Sequence, residues 1–374
     1  MRGRSWLATP NSGMKNFYSR IVDLLEAKRT LALATVVEAE GSAPQKAGVS
    51  ALFSEKGPIL GTIGGGLVEA RVQAQAPPAI KKGRSTISEM TLEDEIYESE
   101  GAICGGRVVI LLDGRPGRDR EAFRSLKNSL SGRRPGILAT LIEGPYSEDM
   151  IVSRHWLEKD SGTAGIQGSA AHLFATEIQE MFSETIVTQT KLVKKKSPST
   201  PKENWIFLER QSPLPRLVIA GAGHIGQAVA HLASLLDFEV TVIDDRPDFA
   251  NSERFPEADS IIVDDIGRAM LDFPLDPESS VVIVTRGHAK DAEALRSCIG
   301  RKAVYIGMIG SARKVALMRG SFIQNGWATP AEFDRVRAPI GLAIGSKSVE
   351  EIAVSIAAEL ILTRSRTREK ERKG

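Results

Sequence analysis

Leu217-Val218-Ile219-Ala220-Gly221-Ala222-Gly223-His224-Ile225-Gly226 (residues 217–226) sets an apolar run directly before a GxGxxG pattern. The run reads as a buried β-strand. Ala228, Val229, Leu232, Leu235 and Leu236 then recur at helical spacing, and a second apolar strand ends at Asp244, 23 residues after Gly221. Strand, glycine turn, helix, strand and carboxylate in this order form a nucleotide-type phosphate loop. Gly221 permits the tight turn, Gly223 lets the backbone approach a diphosphate, and Gly226 lets helix and strand pack closely. Unpaired amides at the helix start, with the helix dipole, favour an anion there, and His224 lies inside the loop where it could touch one. Asp244 is placed to accept hydrogen bonds from ribose hydroxyls, with Arg246 softening the exclusion of a 2′-phosphate. The plainer alternative is a compact strand–helix corner that binds nothing.

Working outward, apolar strands at 217–220, 240–243, 260–263, 281–285 and 304–308 alternate with helical patterns, as in a parallel doubly wound sheet. Ser348 with Glu351 predicts a capping box at the start of the last helix. The expected fold class is α/β: a C-terminal Rossmann-like doubly wound parallel sheet plus a smaller N-terminal α/β domain. Ser212-Pro213-Leu214-Pro215 marks the boundary, because two prolines deny ladder hydrogen bonds and stiffen the connection. The domains are expected over 14–211 and 215–364, the first carrying an exposed Lys/Ser/Pro loop at about 191–204. Within the first, glycine corners at 64–66 and 101–106 each join predicted regular elements.

Composition narrows the classes. The chain has 374 residues, 42% hydrophobic and 26% charged, with a formal net charge of +2. Two ordinary-sized domains fit that length, and the charge gives no reason to expect nucleic acid or an anionic membrane as partner. No secretory leader pattern or apolar run of membrane length stands out, so a soluble cytoplasmic protein is the expectation. Cys104 and Cys298 are the only cysteines, too few for a disulfide framework or a cysteine zinc site.

Several side chains invite chemistry. Arg286-Gly287-His288 follows the fourth strand of the predicted sheet, at the carboxyl edge where ligands of open α/β sheets bind. His288 is therefore a binding candidate, with Asp291 expected to cap the helix behind it. Residues 307–314 bring glycines, Ser311 and two cations, Arg313 and Lys314, to another strand-to-helix corner, a second candidate anion site with a simple helix cap and an exposed Arg-Lys pair as the alternative. Cys104 sits beside Gly105 and Gly106, which leave space around sulfur; a thiolate there could act as nucleophile or hold a soft metal. Cys298 lies on a predicted helix and reads as packing. The usual dehydrogenase equipment is missing: no Tyr is followed four residues later by Lys, and the five histidines form no zinc motif.

These motifs together resemble the xanthine dehydrogenase accessory protein family, of the XdhC/CoxI type. The resemblance rests on Gly41-Ser42-Ala43-Pro44, on Gly61-Thr62-Ile63-Gly64-Gly65-Gly66 with Glu69, and on Cys104-Gly105-Gly106. In the second half it rests on residues 221–226, Asp244-Asp245-Arg246-Pro247, residues 307–314, Pro339-Ile340-Gly341-Leu342 and the helix from Ser348. It implies a chaperone that binds molybdenum cofactor (molybdopterin, alone or as a nucleotide form), supports its sulfuration and inserts it into an apo molybdenum hydroxylase of the xanthine dehydrogenase type. On that implication Cys104 handles sulfur or contacts molybdenum, and Gly64, Gly65, Gly66 and Glu69 lie near the cofactor. A cysteine desulfurase is a further implied partner, a homodimer is the default assembly, and the chain is a maturation factor rather than a stand-alone catalyst. The alternative reading is an NAD-dependent oxidoreductase using residues 221–226 and Asp244, and a third is a nucleotide-sensing regulator.

Overall fold

The computed structural model describes residues 17–43, 45–91, 106–160, 166, 172–183, 189–196 and 203–373. They fall into two compact units, Asn16–Pro213 and Leu214–Gly374.

The first unit is built on two antiparallel sheets. One has the order β3-β2-β1-β5-β4, from β1 (Ala32–Gly41), β2 (Ser50–Ser54), β3 (Gly57–Gly61), β4 (Ser85–Thr91) and β5 (Gly106–Asp113). The other has the order β7-β6-β9-β8, from β6 (Gly136–Glu143), β7 (Ile151–Glu158), β8 (Thr190–Lys196) and β9 (Glu203–Gln211). Alternation along each strand divides its apolar residues between two faces. Val37, Val109 and Leu111 from the first sheet meet Ile142, Val152, Trp205 and Phe207 from the second. The outer face of the first sheet packs Ala34, Phe53 and Ile110 against Val68, Val72 and Ala76 of helix α2 (Gly66–Lys82). The outer face of the second packs Ala139 and Leu208 against Ile178 and Met181, on a helix over Ala175–Phe182. Phe17 and Ile21 of α1 (Phe17–Glu26) meet Phe123 and Leu126 of α3 (Arg120–Ser131).

A buried polar knot lies in this unit. The Arg154 guanidinium pairs with Asp113 and with Asp119 at 3.1 Å, while the Tyr18 hydroxyl donates to Glu209 at 3.5 Å. Burial pushes the Glu209 carboxyl up to about 8, against the opposing pull of Arg154 and the Tyr18 hydrogen bond.

Two expectations about this unit are corrected. It is the longer of the two units, not the smaller. The Lys-rich stretch expected as an exposed loop at 191–204 is edge strand β8 and the start of β9; residues 197–202 lie outside the described set. Its lysines alternate as a strand requires: Lys194 binds Glu38 at 3.0 Å on one side, and Lys191 and Lys195 bind Glu180 and Glu177 at 2.8 Å on the other. Leu192 and Val193 join the cores on those same two sides. Charged lysines at an edge strand are a common device against edge-to-edge pairing, and composition alone does not separate it from a loop.

The second unit carries one parallel sheet of order β12-β11-β10-β13-β14: β10 (Arg216–Ala220), β11 (Glu239–Asp244), β12 (Ser260–Val263), β13 (Ser280–Ile283) and β14 (Tyr305–Met308). Counted from its own first strand this is order 3-2-1-4-5, with helices on both faces, and the expected Rossmann-like class holds. Val218, Ala220, Val281 and Ile283 pack towards helices over Ile266–Asp272, His288–Cys298 and Ala312–Gln324. Leu217, Ile219, Val240 and Val282 face His224–Leu235 and the final helix, Val349–Lys373. Both faces are thus covered, which is why these strands read as continuous apolar runs. The expected capping box is present, with the Ser348 hydroxyl accepting from the Glu351 amide and Glu351 accepting from the Ser348 amide. Cys298 is buried in this core as expected, and burial pushes its thiol up to about 12.

Candidate functional site

The carboxyl edge of the parallel sheet gathers most of the predicted binding residues. The loop after β10 turns at Gly221, whose φ of 120° suits glycine alone. A Cβ there would meet the Val284 carbonyl, and a Cβ at Gly226 would meet the Gly221 carbonyl oxygen. Both glycines therefore serve close packing. Gly223 differs: nothing lies within 4 Å of where its Cβ would point, so the backbone at this position faces open space. Gly223 also caps the helix His224–Leu235 without a side chain. The first amides of that helix have no intrahelical acceptor. His224 is exposed at its first position.

Asp244 ends β11 beside this loop and is held from four directions. Its Oδ2 accepts from the Ala222 amide at 2.7 Å and from Arg246 Nη2 at 2.9 Å; Oδ1 accepts from the Arg246 amide at 3.0 Å and Arg246 Nε at 2.8 Å. Burial by itself would raise the Asp244 carboxyl, but the Arg246 guanidinium and the two amides outweigh it and hold it below the usual carboxylate range. Arg246 in turn lies 3.9 Å over the Phe249 ring. From the neighbouring residue, Asp245 reaches Arg286 at 2.9 Å, linking the ends of β11 and β13 past the end of β10 between them.

On the other side of β10 the chain after β13 and the chain after β14 enclose a cavity of about 250 Å³. Thr285, Arg286, His288, Asp291, Gly310 and Lys314 are among its walls. It sits at the starts of two helices, His288–Cys298 and Ala312–Gln324, so two sets of helix-end amides and their dipoles favour negative charge nearby. Thr285 also lies against Gly221, which puts the cavity and the glycine loop side by side. Asp291 was expected to cap its helix and does not: the cap is Gly287, without a side chain. The carboxylate sits one turn inside and reaches back, accepting from the Thr285 amide at 3.1 Å and hydroxyl at 2.7 Å. Burial raises its pKa, opposed by those bonds and by the charges of His288 and Lys314. Ser311 caps the second helix, accepting from the Lys314 amide at 3.4 Å. Arg313 is exposed on that turn, and of the two cations in this motif it is Lys314 that joins Arg286 in the cavity wall.

The first unit holds its own glycine corner. Gly64, Gly65 and Gly66 all have positive φ, at 124°, 69° and 55°, where side chains are disfavoured. No atom lies within 4 Å of a Cβ built at Gly65 or Gly66. Glu69, in the first turn of α2, folds back so that Oε2 accepts from Thr62 Oγ1 at 2.5 Å and from the Gly65 amide at 3.1 Å. Cys104, with Gly105, lies outside the described residues, as does Pro44. Among the described residues no group of three His, Cys, Asp or Glu side chains could hold a metal ion, and no helix is long and apolar enough to cross a membrane.

Similarity to known proteins follows the same division. A family profile described as the XdhC Rossmann domain matches residues 217–360, and one described as the XdhC and CoxI family matches residues 24–93. A protein of Bacillus subtilis (strain 168), described as a probable subunit of xanthine dehydrogenase, is 29% identical over 356 residues, 94% of this chain and 99% of that one. Escherichia coli (strain K12) PaoD, described as a molybdenum cofactor insertion chaperone, is 21% identical over 353 residues, 92% of this chain and 86% of its own. A crystal structure described as a xanthine dehydrogenase from Bacillus halodurans superposes with a TM-score of 0.72 at 26% identity, covering 92% of this chain and 96% of that one. With both profiles in chain order and the parallel sheet and glycine loop in place, the chain belongs to the XdhC and CoxI family.

Proposed function

We propose that the protein is a maturation factor for a molybdenum hydroxylase of the xanthine dehydrogenase type, and that it binds molybdenum cofactor as cargo, supports its sulfuration and hands it to the apoenzyme. The observation that carries this reading is the pairing of a loop with open space at Gly223 and an adjacent cavity walled by His288 and Lys314. Helix-start amides and the Lys314 cation suit the phosphate end of such a cargo, because they supply donors and positive potential, while the Asp244 carboxylate beside the loop is already paired with Arg246. The likeness to a molybdenum cofactor insertion chaperone over most of the chain supports the same reading.

The molybdenum end needs a soft donor. Cys104 is proposed as sulfur carrier or molybdenum contact, and Gly64, Gly65, Gly66 and Glu69 as further cofactor-binding residues. A cysteine desulfurase would supply the sulfur. The cytoplasm is the compartment and a homodimer the assembly that go with the reading.

The test is the small-molecule content of protein purified from molybdate-supplied cells. Molybdenum and pterin are expected at near one per chain, and Cys104→Ala should lower the molybdenum content or abolish activation of an added apo-hydroxylase. Protein carrying neither molybdenum nor pterin would end the proposal.

A further inference from the structure

We propose that Arg246 is a specificity residue that keeps dinucleotides out of the Rossmann crevice by occupying the Asp244 carboxylate that an adenosine ribose would need. An acidic residue at the end of the second strand normally accepts the ribose hydroxyls of a bound dinucleotide. A carboxylate offers about four acceptor positions. In this chain all four are filled: two by the Ala222 and Arg246 amides and two by the fork of the Arg246 guanidinium.

The occupation is strong for physical reasons. The Asp244 side chain is 2% exposed and that of Arg246 is 24%, so the pair is largely shielded from water. Its two side-chain bonds join opposite charges in the planar, bidentate geometry that arginine provides. The guanidinium is pinned from its other face by Phe249 at 3.9 Å. A ribose diol would offer two neutral hydroxyl donors in exchange, which bond the carboxylate without the opposite charge and the planar fork that the guanidinium supplies. It would also leave the guanidinium to find a new partner, and Asp245 already faces Arg286. Asp244 takes the Ala222 amide and leaves those at the start of the helix, so a phosphate still has its place there. The crevice therefore selects ligands by a phosphate group and against a vicinal diol at the end of β11. The inference does not depend on the identity of the cargo.

Calorimetric titration of the full chain with NAD, ADP-ribose and 2′-deoxy-ADP-ribose tests it, using wild type, Arg246→Ala and Arg246→Lys. Wild type should bind all three weakly. Arg246→Ala should tighten ADP-ribose by about tenfold or more, with a smaller gain for the 2′-deoxy compound, which keeps only one hydroxyl of the diol for the freed carboxylate. Arg246→Lys keeps a cation for Asp244 but loses the fork, so it should give a smaller gain and serves if the alanine variant fails to fold. Micromolar NAD binding by wild type overturns the inference, as does a folded Arg246 variant whose ADP-ribose affinity is unchanged. Molybdenum and pterin content of the same preparations reads the proposed function separately, so either idea can fail alone.

Discussion

The corner at 221–226 and the corner at 64–66 both open a helix, and in both a carboxylate accepts a loop amide. Their construction differs. In the Rossmann corner the carboxylate, Asp244, comes from a neighbouring strand, is buried, and has all its acceptor positions filled. In the first unit Glu69 comes from the helix it opens, and Oε2 alone takes both bonds. Two of the Rossmann glycines are pressed against backbone, leaving Gly223 as the open one, whereas Gly65 and Gly66 are both open. One corner is a packed joint with a single approachable backbone position. The other is a left-handed turn kept by conformation, with room around it. Identical motif letters therefore carry different physics, decided by what surrounds the missing Cβ.

The sharpest way to break this contrast is to remove the two carboxylates. Asp244→Ala leaves a guanidinium and a buried amide without partners and should cost about 3 kcal/mol of stability. Glu69→Ala loses an exposed charge-assisted pair of bonds and should cost about 1 kcal/mol. Equal losses in urea titrations would show that both corners depend on their carboxylates alike. The glycines come next. Gly226→Ala forces a methyl into the Gly221 carbonyl and should destabilise by about 3 kcal/mol, while Gly223→Ala changes little more than the helix cap, about 0.5 kcal/mol. Gly223→Val should spare folding and lower the retained cofactor, measured as pterin per chain.

Acid and base sharpen the contrast further, because Asp244 in one unit and Glu209 in the other are shifted in opposite directions. Asp244 lies below its ordinary value, so its contribution is present above that value and is lost as pH falls through the lowered one. Glu209 is raised from 4.5 to about 8, so its contribution is full in acid and is lost as pH rises across that window. Glu209→Gln mimics the protonated form and should flatten the decline between about pH 4.5 and 8 in a series of unfolding curves. A decline that persists in the Gln variant would assign the effect to other groups. Lys194→Ala, which breaks a partly exposed edge-strand pair, should cost about 0.5 kcal/mol by thermal unfolding, no more than the Gly223→Ala change.

The second unit was legible because its strands are buried on both faces and so print long apolar runs, and because the glycine turn, helix and Asp244 follow at fixed spacing. The first unit was less so. β4 and β7 print no strand signal because each mixes charged or hydroxyl residues with its apolar ones, as in Ser-Thr-Ile-Ser-Glu-Met-Thr at 85–91, and only their pairing with β5 and β6 makes them strands. β8 was hidden by its lysines, whose strand-like alternation shows only once their acidic partners are in place. At the site, sequence could name Asp244 but not what fills it. Arg246 lies two residues away, and the fork is a product of side-chain direction, which spacing does not encode. Lys314 and its neighbour Arg313 carry the same charge in one motif and are both exposed, and only the helix turn puts Lys314 in the cavity wall.

The hold of Asp291 on Thr285 has a consequence for timing. The turn between β13 and the helix at His288 is fixed before any ligand arrives, so the cavity mouth has little ordering entropy left to lose on binding. Nothing in that turn must fold over a guest to keep it, and nothing must melt to release it. Residence time would then be set by the direct bonds the guest makes, a handful of amides and two or three cations. On the proposed carrier role this matters more than tightness: a rigid, open mouth would let cargo leave at a rate a competing acceptor can outbid, with no slow opening step between the two.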